Sequence, residues 1–99
     1  MSEYKTLYLS KKDSVAVALS DIPQNTSVVV NTDEEDITVT ILESIRFGHK
    51  FAVKAIDQGA DIIKYGEVIG AASVYIPAGT HVHVHNLEGK RGRGDKIAE

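Results

Sequence analysis

Ile76-Pro77-Ala78-Gly79-Thr80-His81-Val82 reads as a tight turn entering a strand. Proline presets the first corner of such a turn, and glycine accepts the positive φ that the second corner demands. The same frame, Ile-x-x-(Gly or Asn)-x-x-(Val or Ile), occurs at Ile22-Pro23-Gln24-Asn25-Thr26-Ser27-Val28 and at Ile56-Asp57-Gln58-Gly59-Ala60-Asp61-Ile62. In each copy the apolar residues three before and three after the glycine or asparagine can enter a core. The copies are unevenly spaced, which excludes a solenoid. What remains is a looped β fold of short strands.

The segments outside this frame agree. Ser14 to Leu19 puts Val15, Val17 and Leu19 on one face, and Ile37 to Ile45 alternates more clearly than any other stretch. Tyr4 to Leu9, Ser27 to Val30 and Thr80 to His85 also read as strands, and Phe51 to Ile56 fits either a strand or one helical turn. No stretch holds a helical period through three turns, so the fold class is mostly β with at most one short helix. Asn31 to Asp36 is an acidic loop tip between strands. Residues 88–99, rich in Gly and Arg, form a C-terminal tail to a domain spanning 1–87.

Ninety-nine residues allow one small core, so a metabolite site is expected at the surface, shared with a partner. A formal charge of -3 argues against nucleic acid and anionic membranes as partners. The absence of cysteine removes disulfides, thiolate metal sites and thiol nucleophiles. A polar N-terminus and the lack of any long apolar run point to the cytoplasm, with no membrane contact. Exposed strand edges leave room for a homo-oligomer in isolation.

Chemistry concentrates in His81-Val82-His83-Val84-His85-Asn86. In an extended strand His81, His83 and His85 share a face, while Val82 and Val84 point into the core. Same-face neighbours lie about 6.6 Å apart, so two can meet on one first-row metal ion, and all three only if the strand bends or ends. The other reading is a solvated histidine face on an edge strand. Gly48-His49-Lys50 allows close backbone approach and offers a cation or a base, or else is a polar turn. Lys64-Tyr65-Gly66-Glu67-Val68-Ile69-Gly70-Ala71-Ala72 is thin enough for two backbones to cross, or for a narrow channel, with Tyr65 a hydrogen-bond donor. Arg91 and Arg93, set between glycines, can wrap an anion or dock on an acidic surface.

Taken in order, Gly48-His49-Lys50, Lys64-Tyr65-Gly66, Ile69-Gly70 and Val82-His83-Val84-His85-Asn86 resemble the N-terminal SAF-type domain of the altronate and galactarate dehydratase (UxaA-like) family. Asp13 to Ile22 is similar to that family's opening segment, and Glu88 to Asp95 to its free-standing small members, the sulfolactate sulfo-lyase small subunit among them. The resemblance implies a β-clip fold and a small subunit of a two-component carbon–oxygen lyase, inactive without a separate large catalytic chain. It implies β-elimination from an anionic sugar acid, assisted by a divalent metal shared with the large subunit: Fe(2+) first, Mn(2+) or Mg(2+) otherwise. Carried onto this chain, His83 and His85 are the metal or acid–base groups, with His81 ranked below them. His49 and Lys50 face the same cleft, Lys50 on the substrate carboxylate. Tyr65 and Asn86 hold hydroxyls, and Arg91 and Arg93 contact the large subunit or close over the substrate. The competing class is a non-catalytic SAF module for carbohydrate binding or assembly.

Overall fold

Three copies of the turn frame carry positive φ where the sequence predicts it: 70° at Asn25, 86° at Gly59 and 89° at Gly79. The structure, a computed structural model, describes residues 4–8, 12–31 and 36–89, and adds a fourth copy. Ile45-Arg46-Phe47-Gly48-His49-Lys50-Phe51 turns in the same way, with φ 85° at Gly48. It ends in Phe51 where the frame has Val or Ile, and its corner is a bulky Arg-Phe pair, so it falls outside the pattern of the other three. In all four only the third turn residue takes positive φ, the pattern of a type II turn.

The leading isoleucines Ile22, Ile45, Ile56 and Ile76 are buried, each contributing about 2 kcal/mol of apolar transfer. They pair across the molecule by two reciprocal hydrogen bonds each, Ile22 with Ile45 (2.7 and 2.8 Å) and Ile56 with Ile76 (2.8 and 2.8 Å). The turns exchange bonds in the same pairs. Asn25 N–H donates to the Ile41 carbonyl and Gly48 N–H to that of Ala18. Gly59 N–H donates to the Ala72 carbonyl and Gly79 N–H to that of Ala52. Each accepting residue lies four positions before a frame isoleucine, so one motif is written four times in two interlocked pairs.

Nine short strands fill the intervals among the described residues: β1 (Thr6–Leu7), β2 (Val15–Ala18), β3 (Ser27–Asn31), β4 (Asp36–Thr40), β5 (Lys50–Ala52), β6 (Asp61–Lys64), β7 (Glu67–Ala72), β8 (His81–Val82) and β9 (Leu87–Glu88). They form an antiparallel sheet in the order β1-β2-β5-β8, a hairpin β3-β4, and a sheet β6-β7-β9. The mostly-β class holds, with no helix among the described residues and none long and apolar enough to cross a membrane. Each turn pair closes its own core. Ala16, Ile22, Val28, Val39, Ile45 and Phe51 belong to the first, and Ala52, Ile56, Ile62, Ala72, Ile76 and Val82 to the second.

Several boundaries differ from the sequence reading. The strand expected over Ile37 to Ile45 stops at Thr40, because Ile41 N–H and Leu42 N–H bond to Thr26 and Gly79 instead. Phe51 to Ile56 holds the end of a strand and no helical turn. The β6–β7 hairpin was not foreseen, since its turn is Tyr65-Gly66 and tyrosine is a poor turn signal. The thin stretch that follows is a backbone crossing, as one of its two readings held: the Glu88 carbonyl lies directly over Gly70, where a side chain would collide with it. Glu88 pairs with Ala71 in β9, one residue into the stretch read as tail, while residues 90–99 lie outside the described residues.

Candidate functional site: an imidazole cluster at the end of β8

The histidine segment does not remain extended. Strand β8 ends at Val82, which is fully buried, and residues 83–86 turn back toward β9. Asn86, itself buried, fixes this turn. Its side-chain oxygen accepts from His83 N–H (2.9 Å), its Nδ2 donates to the His81 carbonyl (2.9 Å), and its backbone N–H donates to the His83 carbonyl (3.0 Å). Val84, expected in the core with Val82, is 78% exposed, because alternation ends where the strand does.

The turn gathers the rings that the strand alone would have spaced out. His81 and His83 stack at 5.7 Å between centroids, and His81 and His85 lie at 5.4 Å. His49, brought in by the fourth turn copy, stacks on His81 at 5.0 Å and lies 5.8 Å from His83. His49 Nδ1 and His81 Nε2 are 2.9 Å apart, a hydrogen bond in which one ring donates and the other accepts. All four histidines of the chain therefore meet at one place. His81, ranked below its neighbours in the sequence reading, touches the other three. Glu43 adds a carboxylate, accepting from His81 N–H at 3.3 Å.

Burial lowers the His81 pKa, and the charges of His49 and His85 lower it further; Glu43 opposes them, and His83 adds a smaller push downward. Its folded pKa thus lies below the unfolded value of about 6.5. The unfolded chain then binds the extra proton first, so this group's share of stability is complete above about pH 6.5 and is lost as pH falls below it. We expect Tm to fall on acidification through this range, and His81→Gln to flatten that part of the profile. An unchanged slope in the variant would remove His81 as its source.

Lys50 stands apart from the rings. In β5, Phe51 is in register with His81 on the side of the first core, whereas Lys50 is in register with Val82 on the side of the second. Lys50 thus faces away from the Phe51–His81 pair, while His49, which precedes β5, joins the rings. The Lys50 pKa is lowered, by burial first and by the Lys64 charge second. Tyr65, next to Lys64, is half-exposed at the hairpin tip, and the Asn86 amide is engaged within the chain. Arg91 and Arg93 lie outside the described residues.

The donor chemistry of the cluster suits first-row metals, since imidazole favours iron, zinc, nickel and copper over magnesium. Yet no three histidine, aspartate or glutamate side chains among the described residues are arranged to hold one ion. The fit is that of a partial ligand set, open on its outer side.

A small all-β domain bearing a surface nest of imidazoles is the class that fold and site define. The chain belongs to the family of altronate/galactarate dehydratase SAF domains, matching it over residues 4–90. It is 49% identical over 74 residues to altronate dehydratase of Escherichia coli (strain K12), covering 75% of this chain but only 14% of that enzyme. Against altronate dehydratase of Bacillus subtilis (strain 168) it is 36% identical over 80 residues, or 15% of that enzyme. Against (2R)-sulfolactate sulfo-lyase subunit alpha of Paracoccus pantotrophus it is 43% identical over 63 residues, which span 64% of this chain and 94% of that subunit. The chain thus corresponds to about one-seventh of the dehydratases and to nearly all of the sulfo-lyase subunit.

Proposed function

We propose that this chain is the small subunit of a two-component carbon–oxygen lyase of the altronate/galactarate dehydratase type. It acts with a larger catalytic chain in β-elimination from a hydroxy acid. The observation that carries this is the convergence of His49, His81, His83 and His85 on one open surface. Supporting it, the chain's relatives are lyases, and in two of them the matching region is a small fraction of a much longer protein.

A shared divalent ion, iron(II) before manganese or magnesium, would be held by His83 and His85 with the remaining ligands from the large chain. When bound, such an ion supplies charge stabilisation for a developing enediolate and for the departing oxygen. The residues of this chain would handle protons. His81, its pKa lowered, is neutral at pH 7 and able to accept a proton, and the 2.9 Å bond to His49 gives that proton a second ring to share it. Asn86 keeps the rings in place by pinning the turn that carries two of them.

A second reading is the small subunit of a sulfo-lyase, in which sulfite departs instead of hydroxide. It is favoured by the 94% coverage of the Paracoccus subunit. One reconstitution tests both. The chain is combined with a dehydratase-type or a sulfo-lyase-type large chain and assayed on altronate, galactarate and sulfolactate. We expect turnover on one of them, falling by about 10²-fold in His83→Ala or His85→Ala, with bound metal falling in parallel. Unchanged turnover and metal content in both variants would overturn the proposal.

A further inference from the structure

A cavity of about 700 Å³, lined by none of the four histidines, opens between the first strand and the β3–β4 hairpin. Its size is that of a small-molecule pocket, for which about 300–1,000 Å³ is usual. Strand alternation explains the hairpin's share of the wall. Val28 and Val30 are buried in the first core, so Val29 and Asn31 point the other way and line the cavity. Leu19, 42% exposed, and Tyr4 extend the apolar part of the wall.

Two opposite charges, Lys5 and Asp36, line this same cavity, and among the described residues they form no ion pair with each other. Asn31 Nδ2 donates to Asp36 Oδ1 at 2.8 Å, which fixes the carboxylate through one of its two oxygens. Thr6, also in the wall, adds backbone groups. The Lys5 carbonyl accepts from Leu19 N–H at 2.8 Å, and Thr6 is the next residue, in register with Ala18. Bonded and non-bonded pairs alternate along antiparallel strands, so Thr6 turns its N–H and C=O away from β2. Ala18 agrees, since it bonds on its other side, N–H to the His49 carbonyl at 2.9 Å and C=O to Gly48 N–H at 2.8 Å. β1 is the outer strand of its sheet, and no strand among the described residues pairs with that edge.

We propose that this cavity binds a free α-amino acid with an apolar side chain. Lys5 takes its carboxylate, Asp36 its ammonium group, and Tyr4, Leu19 and Val29 its side chain, while the open edge at Thr6 offers the donor and acceptor that a strand would offer a neighbour. One cavity that presents a cation, an anion and an apolar wall matches a molecule carrying the complement of all three. A neutral sugar leaves both charges unused, and a simple apolar acid or amine uses only one of them. The site does not rest on the lyase reading, since none of its residues belongs to the imidazole cluster and it requires no turnover.

The test titrates the full chain with L-leucine and follows its amides by NMR. Two leucine fragments serve as controls: 4-methylpentanoate, which lacks the ammonium group, and 3-methylbutylamine, which lacks the carboxylate. Leucine is expected to bind saturably, shifting the Lys5, Thr6, Leu19, Val29 and Asn31 amides and leaving those of Gly59 and Gly79 in place. Each fragment should bind about fivefold more weakly, the worth of one exposed charge contact. The variants should cross over. Lys5→Met weakens leucine and 4-methylpentanoate about fivefold and spares the amine; Asp36→Asn, which keeps an acceptor for Asn31, weakens leucine and the amine and spares the acid. Both side chains are exposed, so Tm should not change in either variant. No saturable shift, fragments that bind as well as leucine, absence of the crossover, or tighter binding of methyl glucoside at the same amides would each overturn the proposal. Such a failure would leave the reconstituted turnover, and the lyase reading, untouched.

Discussion

Gly79→Ala is expected to destabilise the domain by about 4 kcal/mol, most of the margin available to a chain of this size. Two terms add. At φ 89° any L side chain is strained by about 1–2 kcal/mol. A methyl group at Gly79 would also fall on the Thr40 carbonyl oxygen, close to the Thr40 carbon and the Leu42 nitrogen, all of them backbone atoms that cannot rotate aside. Overpacking of that kind costs about 1–3 kcal/mol more. Gly59→Ala is the matched control: its φ is 86° and a methyl group there meets open space, so only the backbone term applies. Urea unfolding should show a far lower midpoint for the Gly79 variant than for the Gly59 variant. Equal midpoints would mean that β4 and the last turn do not approach as described.

Asp13→Ala is expected to cost about 2 kcal/mol. The carboxylate is fully buried and takes the Tyr65 and Gly66 amides on its two oxygens; without it both donors are left unpaired at a strained tip. A donor left unpaired away from water costs about 1–3 kcal/mol, and these two are part-buried, so the lower end applies to each. Tyr8 is a useful internal control, because its hydroxyl donates to the Asp13 backbone carbonyl at 2.7 Å and survives the substitution. Asp13→Asn, which keeps one acceptor, should lose about half as much. Amide exchange should quicken at Tyr65 and Gly66 in both variants. A Tm within a degree or so of the parent would show that the carboxylate is not the clamp.

Much of the fold was legible because its turns obey a simple steric law. Asn25, Gly59 and Gly79 stand at positive φ for the reason glycine and asparagine were singled out, and the isoleucines ahead of them are buried. The law loses its grip where a bulky residue sits in the turn. The Gly48 copy was obscured by Phe47, and the β6–β7 hairpin by Tyr65, whose conformation is imposed by a carboxylate more than fifty residues away. The site was legible in composition but not in mechanism. Histidines two apart were expected to align along a strand; they meet because the strand stops and Asn86 ties the following turn. Pairwise spacing predicts that His81 and His83 are neighbours, but it takes the pairing of β5 with β8 to place His49 beside them.

The doubled turn exchange ties the imidazole cluster to both halves of the chain. Because Ile22–Ile45 and Ile56–Ile76 each complete a closed set of bonds beside its own core, the polypeptide is clasped twice, with β5 feeding one core through Phe51 and the other through Ala52. The imidazole nest is built across the seam, His49 from the earlier clasp and His81, His83 and His85 from the later one. The rings therefore stay together only while both clasps are closed.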